Sequence, residues 1–239
     1  MKYQIHIGQD CSTLLLMRYT GLTNIPFVFD GMAFYSDDYA KVFSKDFLNQ
    51  CDFNSVRLFL KTTPSKLIEM YNDAIETGFQ SKKRRIDFHG FIGDKYNKVY
   101  IDVCHISNKS LFDLVDMSSL DAFIKSVEFK VKAHLESCIA KNVQDMKEAF
   151  EKHANDEIVF FRTIKHEMTQ LEHDHFVEVS KHIAEMFPKS RVVAVSDVKS
   201  NADRFSDIHY LKFDHWYEND NDIKCFRKLL IDIGVLDGK

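Results

Sequence analysis

The chain lacks the cysteine pattern of a disulfide-stapled or zinc-bound small domain. Its five cysteines, Cys11, Cys51, Cys104, Cys138 and Cys225, are odd in number, widely spaced and contain no CxxC pair. That argues against a disulfide framework and against a structural metal. A long apolar run is also missing, since nothing approaches the ~20 residues that a membrane helix needs. The opening Met1-Lys2-Tyr3-Gln4-Ile5-His6-Ile7-Gly8 is too short and mixed for a signal peptide, so a reducing, cytoplasmic setting is expected. Nor is there an excess of positive charge. With 32 Lys and Arg against 36 Asp and Glu, the formal net charge is −4, and a nucleic-acid polymer has no basic surface to bind. The compact basic cluster Lys82-Lys83-Arg84-Arg85 reads as a solvated loop ahead of a strand. Internal repeats, low-complexity segments and linkers are absent, as are the glycine-rich dinucleotide fingerprint and the phosphate-binding loop.

What is present describes an ordinary globular protein. The 239 residues are 45% apolar and include 21 Phe, most of which are expected in a sizeable core. We read residues 1–239 as a single α/β domain. Tyr3, Ile5 and Ile7 alternate with polar residues and stop at Gly8, which predicts a first strand and a turn. Helices are expected at about 37–49 and 64–77, the second opening at Thr63-Pro64. Ile86, Phe88, Gly90 and Ile92 alternate, as do Val99, Ile101 and Val103, which predicts a β-hairpin. One apolar stripe, from Leu120 through Val127, Val131 and Val143 to Phe150, predicts a long amphipathic helix over 118–152. Such a stripe packs across the domain or serves as a homodimer seam. Ile158–Phe161, Arg191–Val195 and Ile208–Phe213 are apolar on both faces and alternate with helical patterns at 171–187 and 221–233. That order predicts a mostly parallel sheet flanked by helices, Rossmann-like and three-layered.

Ligands of such sheets sit beyond the carboxyl ends of the strands. Gly8-Gln9-Asp10-Cys11-Ser12-Thr13 follows the first strand, and Cys11 falls at or near a helix N-terminus. The helix dipole there favours a thiolate, the nucleophilic form. The plain alternative is a small packing residue. In Tyr100-Ile101-Asp102-Val103-Cys104-His105, His105 has the position of a base at a strand end. Arg162, read as following a strand, has the chemistry to grip a phosphate or carboxylate, and Ser196-Asp197 would line the same crevice. His166-Glu167 and His173-Asp174-His175 do not match a metal-binding spacing, and they read as a polar helix surface. Asp207, His209, Asp214 and His215 resemble the late acid and base of α/β hydrolases by fold analogy only, and Trp216, the sole Trp, reads as a stacking platform or a lid over the core.

Ile7-Gly8-Gln9-Asp10-Cys11-Ser12-Thr13, then Leu16, Gly21-Leu22 and Pro26-Phe27, resembles the opening of a poorly characterised family of papain-like cysteine peptidases. Members begin with a strand, a glycine, a Cys, a Leu-rich helix and a Pro-Phe element. A mid-chain His element and a late strand ending in Arg follow, to which Asp102–His105 and Ile158–Arg162 would correspond. This chain departs from the family after Phe27 and after His105, where Ile106 stands in place of the usual Asp. The resemblance implies a cysteine-dependent hydrolase or acyl-transfer enzyme. Cys11 would be the nucleophile, His105 the base, and Asp102 or Asp10 the orienting carboxylate. Gly8 and Ser12 would lie on the oxyanion side. Its substrate would be a small molecule, peptide or glycan, with no cofactor and no metal. A second reading is a glycosyltransferase of surface-glycan synthesis, in which Arg162 holds the diphosphate of a nucleotide sugar. A third is a non-catalytic protein that dimerises through the long helix.

Overall fold

The computed structural model describes residues 2–7, 16–25, 32–34, 55–77, 86–93, 98–103, 113–213 and 219–237. In chain order its elements are β1 Lys2–His6, β2 Thr23–Asn24, β3 Met32–Phe34, β4 Val56–Leu60, α1 Pro64–Thr77, β5 Phe88–Gly93, β6 Lys98–Val103 and α2 Leu120–Ser126. A π-helical stretch Val127–Val131 leads into α3 Lys132–His153, followed by β7 Glu157–Ile164, α4 Gln170–Met186, β8 Arg191–Ser196, α5 Lys199–Arg204, β9 Ile208–Tyr210 and α6 Asp220–Asp232. Two compact units are formed. The first comprises Met1–Asp30, Ser36–Asn49 and Asp145–Lys239, and the second Gly31–Tyr35 and Gln50–Gln144.

The first unit is the expected parallel α/β layer. Its strands lie in the order β2-β1-β7-β8-β9, each pair parallel. Every residue of β7 except Glu157 is buried, as a central strand covered on both faces requires. The strand register divides the side chains by face. Gln4, His6, Val159, Phe161, Thr163, Val193 and Val195 share one face. Leu16, Met17, Phe226 and Leu230 pack on its apolar members, with the Phe161 and Phe226 rings 6.0 Å apart. The other face carries Ile5, Phe160, Arg162, Ile164 and Ala194. Phe176 of α4, Phe205 after α5 and Phe187 after α4 cover that side. Full burial of each such ring contributes roughly 1.5–3 kcal/mol. The one buried amide on β1 is spent on the crossover to β2. Gln4 Nε2 donates to Met17 O at 3.0 Å and to Asn24 Oδ1 at 2.6 Å, and Gln4 Oε1 accepts from Thr20 Oγ1 at 2.7 Å.

Two strand limits differ from expectation. β7 runs on through Ile164, so Arg162 lies within the strand rather than past it. β9 pairs only over Ile208–Tyr210. The continuing segment still donates one bond, from Leu211 N to Ser196 O at 2.9 Å. The six-residue α5 has no reading in the sequence, because it is too short to show a helical period.

The second unit holds an antiparallel sheet in the order β3-β6-β5-β4. The predicted hairpin is β5–β6, in register from Phe88↔Val103 to Gly93↔Lys98. Val56, Leu58, Phe88, Ile92, Val99 and Ile101 are buried on one face. α1 begins at Pro64 as expected and buries Leu67, Met70 and Ala74, and Tyr71 packs on Phe123 at 5.6 Å. Among the described strands β4 has one neighbour, and Leu58 N donates to Glu136 Oε1 at 2.8 Å.

The long helix spans Leu120–His153, close to the predicted range. Phe123, Val127, Val131 and Val143 are all 0% exposed. These members of the stripe are therefore buried within the chain. Its steps Phe123, Val127, Val131, Leu135, Ile139 and Val143 are uniformly of four residues. On a pure α-helix each such step drifts by about 40°. The wider π turn at Val127–Val131 takes up part of that drift. The expected helix at 37–49 and the Lys82–Arg85 loop lie outside the described residues.

Candidate functional site

The strand order places a topological switch point between β1 and β7. From β1 the chain moves to β2 on one side, and the later strands continue on the other. In open parallel sheets this is where a crevice forms beyond the carboxyl ends. β1 ends at His6, and Ile7 N donates to Phe161 O at 2.8 Å. His6 is 3% exposed and Thr163, at the matching end of β7, is 8% exposed. Both point to the face covered by α6.

α6 runs against the strands. Its C-terminal end lies at the amino edge, where Lys2 Nζ donates to Val235 O at 3.3 Å, while Phe226 in its middle meets Phe161. Its N-terminus therefore lies toward the carboxyl edge of the sheet. Asn219 caps it, accepting from Asn221 N at 2.8 Å, and Asp222 is buried there at 2% exposure. A helix N-terminus carries partial positive charge. His6 and Thr163 have no site reading in the sequence, whereas Asp222 reads there as a surface or helix-capping residue and is instead buried. For Thr163 the available signal is a polar residue within an otherwise apolar run, and it becomes informative only once the switch point is known.

On the β8 side the same edge is closed by protein contacts. Ser196 is fully buried; its Oγ donates to Ile164 O at 3.0 Å and accepts from Val198 N at 3.1 Å. Asn201, also 0% exposed, donates to Ser196 Oγ at 2.9 Å and to His166 O at 2.8 Å, and accepts from Met168 N at 2.8 Å. Arg204 Nη1 adds a bond to Met168 O at 3.0 Å. Opposite Ala194, the Arg162 guanidinium lies 5.3 Å from the Phe176 ring centroid, with the residue 6% exposed. Arg162 and Ser196 thus share one sheet face, the one covered by α4 and α5, and Asp197 follows directly.

The chain matches no family model, no curated protein and no solved structure.

The remaining sequence candidates fall in different places. Asp102 is in the second unit, on β6, ion-paired with Lys61 at 3.0 Å. Gly8, Asp10, Cys11, Ser12 and His105 lie outside the described residues, as do Asp214, His215 and Trp216. The histidine-rich helix start has separate partners. His166 Nε2 lies 3.1 Å from Glu172, and His173 Nε2 lies 2.8 Å from Asp207 while stacking on Phe205 at 3.9 Å. Among the described residues, no three His, Cys, Asp or Glu side chains converge as metal ligands. Burial works to raise the Glu172 pKa. Hydrogen bonds from the Thr169 amide and hydroxyl and from His166 outweigh it, so Glu172 stays below the usual Glu range.

His209, on β9, titrates below its ordinary value of 6.5. Burial is the main cause, Arg191 adds to it, and Asp207 opposes it. The folded state therefore disfavours the proton that the unfolded chain accepts. The resulting stability is present above about pH 6.5 and is lost as pH falls through the folded pKa. Urea denaturation of wild type and His209→Gln between pH 7.5 and 5 is expected to show the steeper acid loss in the wild type. Parallel curves would contradict it.

Proposed function

We propose that the chain is a hydrolase or acyl-transfer enzyme with Cys11 as its nucleophile, acting at the switch point of the parallel sheet. The observation that carries this reading is the strand order β2-β1-β7-β8-β9. Gly8-Gln9-Asp10-Cys11-Ser12 leaves β1 directly after that point. The thiolate attacks a carbonyl carbon, and backbone amides about Gly8 and Ser12 stabilise the oxyanion. A histidinium protonates the leaving group, and water or an acceptor then releases the acyl-enzyme. His6, at the end of β1 itself, is a histidine that the first unit supplies beside that point. A thiol nucleophile suits a reducing, cytoplasmic compartment. Cys138 and Cys225, the described cysteines, are free thiols, and among the described residues no helix is long and apolar enough to cross a membrane.

The test is the pH dependence of Cys11 alkylation by iodoacetamide, read by mass spectrometry beside the other cysteines. The expected midpoint for Cys11 lies well below the ~8.5 of a free thiol. An ordinary midpoint would overturn the reading. The open parallel sheet itself supports a second reading, a nucleotide-sugar transferase, because nucleotides bind at such switch points. An ordinary Cys11, together with a melting temperature raised by a nucleoside diphosphate sugar, would favour it.

A further inference from the structure

We propose that the outer face of the antiparallel sheet in the second unit is a platform for a neutral oligosaccharide. Strand alternation buries the aliphatic side chains of β4, β5 and β6 on one face. On the opposite face it sets Arg57, Phe59, His89, Phe91, Tyr100 and Asp102. Phe59 is 50% exposed and Tyr100 44% exposed. Ring centroids are 5.7 Å apart for Phe59 and His89, 6.4 Å for Phe59 and Phe91, and 6.3 Å for Phe91 and Tyr100. Phe59 and His89 stack within 27° and Phe91 and Tyr100 meet edge-on at 70°, so four rings on three adjacent strands form one contiguous cluster. Contiguous exposed apolar patches of this kind mark ligand or partner sites.

The composition of the face selects the occupant. Aromatic faces carry negative quadrupole charge and attract the polarised C–H groups on the flat side of a sugar ring. Sugar hydroxyls then need donors and acceptors around the rings. Arg57 sits directly opposite Phe91, and Asp102 directly opposite His89. A protein partner would bury the Asp102 carboxylate beside the rings, whereas Asp is depleted at protein interfaces. Single-stranded nucleic acid would stack on such rings but needs cations along its backbone. Of the described cations here, Lys61 is already paired with Asp102 at 3.0 Å, which leaves Arg57 as a single charge rather than a row of them. A neutral chain of sugars satisfies both the rings and the charge balance.

The inference does not rest on Cys11. It is tested by calorimetric titration of the full chain with neutral hexasaccharides of β-1,4-glucose, α-1,4-glucose and β-1,4-N-acetylglucosamine. At least one is expected to bind with a Kd below about 1 mM, the weak end of measurable affinity. The double variant Phe59→Ser, Tyr100→Ser should weaken it at least tenfold. In the wild type, NMR saturation of ring protons should pass to sugar C–H protons, a readout that does not depend on the variant folding. Absence of binding by all three sugars would overturn the proposal, as would undiminished binding by a folded double variant. A dimer that dissociates in the double variant, or binding of poly(U) in place of the sugars, would overturn it in favour of self-association or nucleic acid.

Discussion

Gly90→Ala is expected to break the β4–β5 pairing and lose more than about 3 kcal/mol, at the upper end for overpacking. Gly90 pairs with Leu58 on β4 and Ile101 on β6. A Cβ built on it would overlap the Arg57 carbonyl oxygen and lie 2.9 Å from the Arg57 carbonyl carbon and 3.0 Å from Leu58 Cα. These are backbone atoms, so no rotamer change relieves the contact. β4 would have to move away from β5. Gly21→Ala is the contrast. Its φ is +79°, with nothing within 4 Å of the added Cβ, so only left-handed strain is at stake, about 1 kcal/mol. Chemical denaturation with hydrogen exchange on the β4 and β5 amides measures both. Equal, small losses would show that β4 shifts without cost.

The second large effect is expected from Asn201→Leu. Asn201 ties the β7–α4 connection to the end of β8 through three hydrogen bonds, to Met168 N, His166 O and Ser196 Oγ. Leucine keeps much of the bulk but leaves a buried amide N–H and other polar groups unanswered. Each unmet buried group costs about 1–3 kcal/mol. A total loss of roughly 3–5 kcal/mol is expected from the unfolding midpoint in urea, with the m-value unchanged. Arg204→Ala removes only a bond at the exposed rim of the same connection and should cost about 1 kcal/mol. A loss below 1 kcal/mol in Asn201→Leu would mean that the connection is held by packing of Met168 and Phe176 alone.

Much of the fold is legible in the residues because burial and period are linked. Ile158–Phe161 and Arg191–Val195 are apolar without alternation, and only a strand covered on both faces accommodates that. Pro64 and the three- and four-residue steps of the long stripe place two helices to within a residue or two. β4 carries a weaker signal, although Val56, Leu58 and Leu60 alternate with Arg57 and Phe59. Its outward Phe59 gives the run the look of an irregular apolar stretch. For the site, legibility is narrower. Gly8 to Ser12 can be placed after a strand, but the sequence does not say which neighbour that strand has.

By itself, then, the sequence determined element types and the parallel character of the last third, and it marked Gly8 to Ser12 as the segment that follows the first strand. These depend on local periodicity and on which side chains tolerate water. Tertiary structure alone decided the rest. It set β1 beside β7 across 150 residues or more of chain, which creates the switch point. It turned Arg162 toward Phe176 and spent Ser196 on Asn201. It also gathered Phe59, His89, Phe91 and Tyr100 from three strands onto one open face. Strand neighbours and register are set by the summed burial of two whole sheet faces, and no single segment carries that information.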